Sequence, residues 1–266
     1  MKKVGFIITT HYDSTSLIKS CLESILKYSP KDSYYIVYAN ENKSKYVSNI
    51  PKLYNNVECI YIKDQVKNNG LTGTWNQGID KCIKNNCEVI VICNHDLIVN
   101  NTLKNILIEA SKCINNKLEY YGPCNLKNNM TKTYSRANPN KNRNIKNLSK
   151  KYLVGFFMVF PKHVLIKNKL NKKEYFDNNY PFGGNEKEWY NRFRRKNGKG
   201  YIICTTKVDH KALKSWKKIG KIMKNKKQYM TNSLINQNME NNERLLNKSK
   251  KKFSVKEIFE NRKRKK

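Results

Sequence analysis

Short apolar runs that end abruptly in polar clusters alternate along this chain with stretches whose apolar residues recur every three or four positions. Val4 to Ile8 is the first run, closed by Thr9, Thr10, His11, Tyr12 and Asp13. Leu17, Ile18, Cys21, Leu22, Ile25 and Leu26 then fall on one helical face, with Asp13, Ser14 or Thr15 as cap and Tyr28 to Pro30 as the stop. Tyr34 to Ala39 predicts a second strand, ending in Asn40, Glu41 and Asn42, and Val57 to Ile62 a third. Strand, helix, strand and strand again, with polar residues at each carboxyl end, is the opening of a Rossmann-like α/β domain.

The densest run is Val89, Ile90, Val91, Ile92 and Cys93, followed at once by Asn94, His95 and Asp96. Five apolar residues without period-2 alternation suit a strand buried on both faces of a sheet. In extended backbone Asn94 and Asp96 share one side, where an amide and a carboxylate suit a divalent cation and a ribose or phosphate. The carboxyl end of such a strand is where open α/β sheets place ligands, although the triplet also suits a plain turn. Before it, Asn68, Asn69 and Gly70 form a turn, and Trp75, Ile79, Cys82 and Ile83 share a helical face from Thr72 onward. Asn76 and Gly78 are poor interior residues for that helix. Two readings stand: close approach to a ligand, or Asn76 capping a helix that starts later. After the run, Thr102 caps a helix carrying Leu103, Ile106, Leu107, Ala110, Cys113 and Ile114.

Residues Asn125 to Lys151 show no period, which predicts a long loop. Tyr152 to Phe160, with Gly155 inside, predicts another buried strand, and Pro161 the first turn of a short helix through Leu165. After Tyr175 to Phe182 and two glycines, Asn185 can cap a helix with Glu186 and Glu188 in its first turn and Arg192, Arg194 and Arg195 later. That distribution also suits the helix dipole alone. Tyr201 to Cys204 predicts a last short strand, leading through Val208 to Asp209 and His210. These elements assign 1–216 to one α/β domain and 217–266 to a basic helical or partly disordered tail.

Composition changes this picture only modestly. The 266 residues carry 54 Lys and Arg against 20 acidic groups, a formal charge of +34. Such an excess suits nucleic acid, anionic membranes or phosphorylated substrates. Most of it is Lys accompanied by Asn, Ile and Tyr, residues of A/T-rich codons, so genome composition accounts for much of the charge. The 8 cysteines form no CxxC pair and fall largely inside apolar runs, which favours a reducing compartment. Cys82 and Cys87 lack a matching Cys/His pair, which argues against zinc. The amino-terminal apolar run is too short for a signal peptide, and no stretch is long enough to span a bilayer. A cytoplasmic protein is expected; for the tail two readings stand, a solvated, codon-biased appendage, which is favoured, or docking on an anionic membrane.

The order of these pieces resembles the GT-A fold glycosyltransferases, and within them the family-2-like enzymes, over roughly residues 3 to 215. Thr9, Thr10 and His11 after the first strand, and Asn40 and Glu41 after the second, look like that family's base- and ribose-contacting positions; Asn40 stands where an aspartate is usual. Asn69, Gly70, Trp75, Asn76 and Gly78 resemble the segment beneath the nucleotide. Asn94, His95 and Asp96 stand at the family's DxD motif, with Asn94 in place of its first aspartate. Asn185, Glu186, Glu188, Trp189 and Arg192 look like the acidic motif that supplies the catalytic base. His210 is similar to the histidine that completes the metal or diphosphate site.

The resemblance implies a mixed, mainly parallel sheet flanked by helices and an inverting, metal-assisted transfer from a UDP- or GDP-linked sugar to a glycan, protein or lipid acceptor. Asp96 and His210 are then the metal ligands, for Mn2+ or Mg2+, with imidazole tilting the preference toward Mn2+. Glu186 is the favoured base and Glu188 the alternative. A nucleotidyltransferase would show a Gly-rich, Lys- or Arg-bearing loop after the first strand, and Thr9 to Thr15 has neither. A basic nucleic-acid-binding protein rests on charge alone, without a zinc-finger spacing or an aromatic RNA-binding motif.

Overall fold

A computed structural model describes residues 2–11, 15–40, 44–64, 67–113, 117–125, 145–147, 153, 155–181 and 184–210. Glu41, nearly all of the expected loop from Asn125 to Lys151, and the tail from residue 217 onward lie outside the described residues. The elements of the first half run β1 (Val4–His11), α1 (Thr15–Tyr28), β2 (Tyr34–Asn40), α2 (Lys45–Leu53), β3 (Val57–Ile62), α3 (Gly70–Lys84) and β4 (Val89–Asn94). Then come β5 (Leu97–Ile98), α4 (Leu103–Lys112), β6 (Glu119–Asn125), β7 (Ile145–Asn147), β8 (Phe157–Pro161), α5 (Lys162–Lys167), α6 (Asn185–Arg195) and β9 (Lys199–His210).

The sheet order is β3-β2-β1-β4-β8-β6-β9-β5, with β7 on β9. β3, β2, β1 and β4 are parallel neighbours, and β8 enters antiparallel to β4, with Val91 opposite Val159. Every side chain from Val89 to Cys93 is buried because helices cover both faces. Val89, Val91 and Cys93 join Phe6, Ile8, Val37 and Phe157 under α1 and α4, where Ile18, Leu22, Ile106 and Leu107 pack. Ile90 and Ile92 join Ile7, Ile36 and Met158 beneath Trp75, Ile79, Trp189 and Phe193 of α3 and α6. The unbroken apolar run is the signature of this three-layer packing.

Several elements differ from expectation for local reasons. α2 is unexpected: its apolar stripe is short, with Val47 and Ile50 buried, Ser44 caps it by accepting from the Val47 N–H, and Pro51 sits inside it. The last strand is 12 residues long rather than four and includes Asp209 and His210, because it pairs in turn with β6, β7 and β5. The strand expected over Tyr152 to Phe160 begins at Phe157, preceded by a turn at Gly155 and Phe156. α6 starts at Asn185 itself, with Gly184 left-handed at the cap position (φ 81°).

Asn76 explains how an unfavourable residue earns a place inside α3. Its Oδ1 accepts from the Tyr175 and Phe176 N–H groups at 3.0 and 2.9 Å, and its Nδ2 donates to Phe176 O at 2.9 Å and to Asn178 Oδ1 at 3.1 Å. Both donors and both acceptor sites of a buried amide are thereby filled, and the 175–178 segment is fastened to the helix. Trp75 adds an edge-on contact to Phe176 at 5.2 Å. Asn76→Ala leaves two backbone N–H groups and a carbonyl without this partner, so we expect a loss of roughly 3 kcal/mol of stability. A urea midpoint lowered at unchanged m value checks this; a loss below about 1 kcal/mol would show that the segment is held by other contacts.

Candidate active site

The carboxyl ends of β1 and β4 lie side by side, with Thr9 opposite Asn94. Thr9 Oγ1 reaches Asn94 Oδ1 at 3.5 Å, and Thr9 O accepts both the His95 N–H and the His95 ring Nδ1–H at 3.2 Å. That ring contact needs the proton on Nδ1. It leaves Nε2 as a buried acceptor without a hydrogen-bond partner among the described residues. Burial holds the His95 imidazole below its ordinary range, although Asp96 pulls the other way, so the ring is neutral near pH 7. β4 ends at Asn94, and His95 and Asp96 occupy the turn into β5, so Asn94 and Asp96 do not continue as one extended face.

The two-residue strand β5 brings in the far end of the chain. Leu97 lies opposite His210 and Ile98 opposite Asp209, which sets His210 beside Asp96 with Nε2 and Oδ1 3.1 Å apart. Both side chains are mostly buried, at 7% and 11% exposure. A carboxylate oxygen and an imidazole nitrogen converging in this way are a donor set that fits Mn2+, the cation taking the place of the shared proton. Among the described residues no three His, Cys, Asp or Glu cluster for a metal, so protein ligands beyond this pair are not in evidence there.

Gly155 and Phe156 join this pair to α6. Phe156 stacks on the His210 ring, centroids 4.6 Å apart and planes 10° from parallel, and its carbonyl accepts the Asn94 N–H at 2.9 Å. The Gly155 N–H donates to Glu186 Oε1 at 3.0 Å. A Cβ at residue 155 would collide with that oxygen and sit 2.8 Å from the Trp75 ring, so the close approach requires glycine. Glu186 is thus linked to the Asp96–His210 pair through two adjacent residues. Composition carried one signal for this joint, a glycine inside an apolar run; the role of Phe156 carried none.

Glu188 is placed differently. Its Oε1 and Oε2 close a two-point ion pair with Arg192 Nε and Nη2 at 2.5 and 3.1 Å. Arg192 also donates to Asn168 O at 2.5 Å and Tyr175 O at 2.9 Å. Burial pushes the Glu188 carboxyl above the ordinary carboxylate range, outweighing the pull of Arg192. A raised carboxyl alone would suit a base, but both oxygens of Glu188 bind Arg192, whose other donors tie α6 to the segments at 168 and 175.

The remaining candidates form a second group at the end of β2. Thr74 Oγ1 lies 3.2 Å from Asn40 Oδ1 and 3.0 Å from Asn68 Nδ2, tying β2 to the start of α3. Asn69 is left-handed (φ 56°) just before Gly70. Thr10 is fully buried and pairs with Ala39, and the backbone of His11 pairs with Asn40. Asn76 differs from the expectation of approach to a nucleotide, since the 175–178 segment takes all its hydrogen bonds. Thr72, which the sequence reading passed over, accepts from Asn185 Nδ2 at 2.9 Å and donates to Tyr180 O at 2.5 Å, fixing the approach to α6.

A mixed sheet with this strand order, covered by helices on both faces, is the GT-A arrangement. The crystal structure of GalNAc-T7 with UDP, GalNAc and Mn2+ shares it at a TM-score of 0.61 and 13% identity, covering 79% of this chain and 44% of that one. This chain thus spans under half the length of that relative. No curated protein matches. The chain belongs to glycosyl transferase family 2, whose model matches residues 6–169. That match includes Thr9, Asn94 and Asp96 and stops before Glu186 and His210.

Glu188→Gln should leave a largely buried guanidinium without its countercharge and cost roughly 3 kcal/mol of stability. Denaturant unfolding of the variant checks this, and an unchanged midpoint would show that the ion pair does not hold α6.

Proposed function

We propose that this chain moves a sugar from a nucleoside-diphosphate donor, UDP- or GDP-linked, to an acceptor hydroxyl with inversion at the anomeric carbon. The observation that supports it most is the Gly155–Phe156 joint, which links a fixed carboxylate to the Asp96–His210 pair at the end of the sheet. The UDP, GalNAc and Mn2+ held by GalNAc-T7 support testing UDP-linked donors and Mn2+ first. Among the described residues no helix is long and apolar enough to cross a membrane, and the acceptor hydroxyl belongs to a glycan, protein or lipid.

In this reading Thr9, Thr10, His11, Asn40 and Glu41 bind the nucleoside, with Asn69 and Gly70 beneath it. Asn94 and His95 face the ribose and diphosphate, with His95 Nε2 accepting from a ribose hydroxyl. Asp96 and His210 hold Mn2+ or Mg2+, which when bound neutralises charge on the departing diphosphate. Glu186 takes the proton from the acceptor hydroxyl as its oxygen bonds to the anomeric carbon and the bond to the diphosphate oxygen breaks. The Gly155 N–H keeps that carboxylate in place. A single displacement with one base inverts the centre. No second carboxylate at this site is assigned as a nucleophile.

A panel of nucleotide sugars assayed for hydrolysis with and without Mn2+ tests the reading; no metal-stimulated hydrolysis of any of them would overturn it. Glu186→Gln should lower turnover by about two orders of magnitude or more, with donor affinity little changed. The same loss in Glu188→Gln, with Glu186→Gln active, would reverse the choice of base. Asp96→Asn should remove Mn2+ stimulation while the fold persists by circular dichroism. Full activity of that variant at limiting Mn2+ would refute the metal assignment.

A further inference from the structure

The proposed activity leaves one side-chain cluster unused, at the end of the sheet away from Asp96. α3 closes in a Schellman turn: the Asn86 N–H bonds to Ile83 O and the Cys87 N–H to Cys82 O, each at 3.0 Å, with Asn86 left-handed at φ 58°. In this motif the side chains at the two ends of the longer bond are brought into contact. Here both are cysteines, and both are buried. Their sulfurs converge over one point of β1. A Cβ on Gly5 would lie 2.5 Å from Cys82 Sγ and 3.0 Å from Cys87 Sγ, so the strand passes only because residue 5 is glycine. Cys82, together with the nearby Lys3 and Lys162, draws the Cys87 thiol below its ordinary range against the opposing effects of burial and Glu88, while Cys87 and burial push the Cys82 thiol up.

We propose that Cys82 and Cys87 are a redox-active dithiol that a small peroxide closes to an intramolecular disulfide, with Cys87 as the attacking sulfur and Cys82 as the resolving one. The backbone supports the geometry, since the 3.0 Å bond between residues 87 and 82 holds their backbones within the range a disulfide spans. In the first step the Cys87 thiolate attacks one peroxide oxygen. The O–O bond breaks, leaving a sulfenic acid on Cys87 and a hydroxide that takes up a proton as water. The Cys82 sulfur then gives up its proton and attacks the Cys87 sulfur, and the S–O bond breaks with loss of a second water. Two thiols and one peroxide become one disulfide and two waters. The bond staples the last turn of α3 to the residue before Glu88 and β4, the strand that ends at Asn94.

The burial of both sulfurs selects the oxidant. Hydrogen peroxide is small enough to follow a brief opening of the turn, whereas a bulky disulfide is not.

The full reduced chain is treated with an equivalent of hydrogen peroxide, quenched with catalase, alkylated in denaturant and digested with trypsin. Lys84 lies between the two cysteines, so cleavage there leaves two peptides held together only by the new bond. The expected result is that the linked pair is the first product, and that it forms faster than any of the other 6 cysteines among the 8 loses its alkylation. In Cys82→Ser a sulfenic acid should accumulate on Cys87, trapped by dimedone added with the denaturant after the catalase quench, and be absent from the parent chain. Cys87 and Cys82 staying alkylatable while other cysteines oxidise would overturn the proposal, and this arm needs no variant to fold. Trapping on Cys82 rather than Cys87 in the parent chain would overturn the assignment of roles.

Discussion

The arrangement depends on one turn of backbone, Gly155–Phe156. It sits where the antiparallel strand β8 is about to enter the sheet beside β4, and it faces three ways. Its first N–H holds Glu186, its carbonyl takes the N–H of Asn94, and its aromatic ring lies flat on His210. A carboxylate from α6, the polar end of β4 and a ring from the last strand therefore have their relative positions set by two consecutive residues. Backbone groups in such a turn are more exacting than side chains, because a displaced carbonyl or N–H in a buried place loses its partner outright. Glycine is required at the first position by steric contact with Glu186 and Trp75, and an aromatic ring at the second covers the imidazole face.

Around that joint, buried polar groups do the fastening that apolar packing cannot. Asn76 clamps the segment from Tyr175 to Asn178, and Arg192 binds Glu188, Asn168 O and Tyr175 O in the same neighbourhood. Asn168 Nδ2 returns a bond to Trp189 O at 3.2 Å. Hydrophobic burial is non-directional and would let this irregular stretch slide over α3 and α6. The satisfied Asn76 amide and a closed ion pair give it one position, with Thr72 holding its end through Tyr180 and Asn185. The result is a rigid shelf from which α6 presents Glu186.

Much of the parallel half was legible because its signals are local. Runs such as Val89–Cys93 and Phe6–Ile8 are buried by neighbours on both faces, and that burial is written as unbroken apolar sequence. α1 and α4 read correctly because each packs one stripe. What escaped was set by partners distant in sequence. β5 is two residues long and exists only because β9 pairs with it, and β9 extends through Asp209 and His210 only because three strands flank it. β6, with Tyr120 and Pro123, offered no alternation to read. In the site, Asn94, Asp96, Glu186 and His210 stood out as polar residues at element ends. The difference between Glu186 and Glu188, however, lay in which of them faced Arg192 one turn later, and both orders suit a helix dipole.

The same contrast explains how the site is divided along the chain. Thr9, Asn40 and Asn94 belong to strands of the parallel half, and they lie within the stretch matched by the family, residues 6–169. Glu186 and His210 come after it and reach the site through contacts closed late in sequence, over gaps such as 114 residues between His210 and Asp96. Closing such separations is entropically costly, so these contacts must be rewarded by dense packing near them. The aromatic cluster of Tyr120, Phe160, Phe176, Trp189 and Phe193 supplies it directly beneath α6, with ring centroids 4.7 to 6.2 Å apart. The core under the second half thus does more than stabilise the sheet. It holds the Glu186 carboxylate in register with the Asp96–His210 pair, contributed by the turn between β4 and β5 and by the last strand.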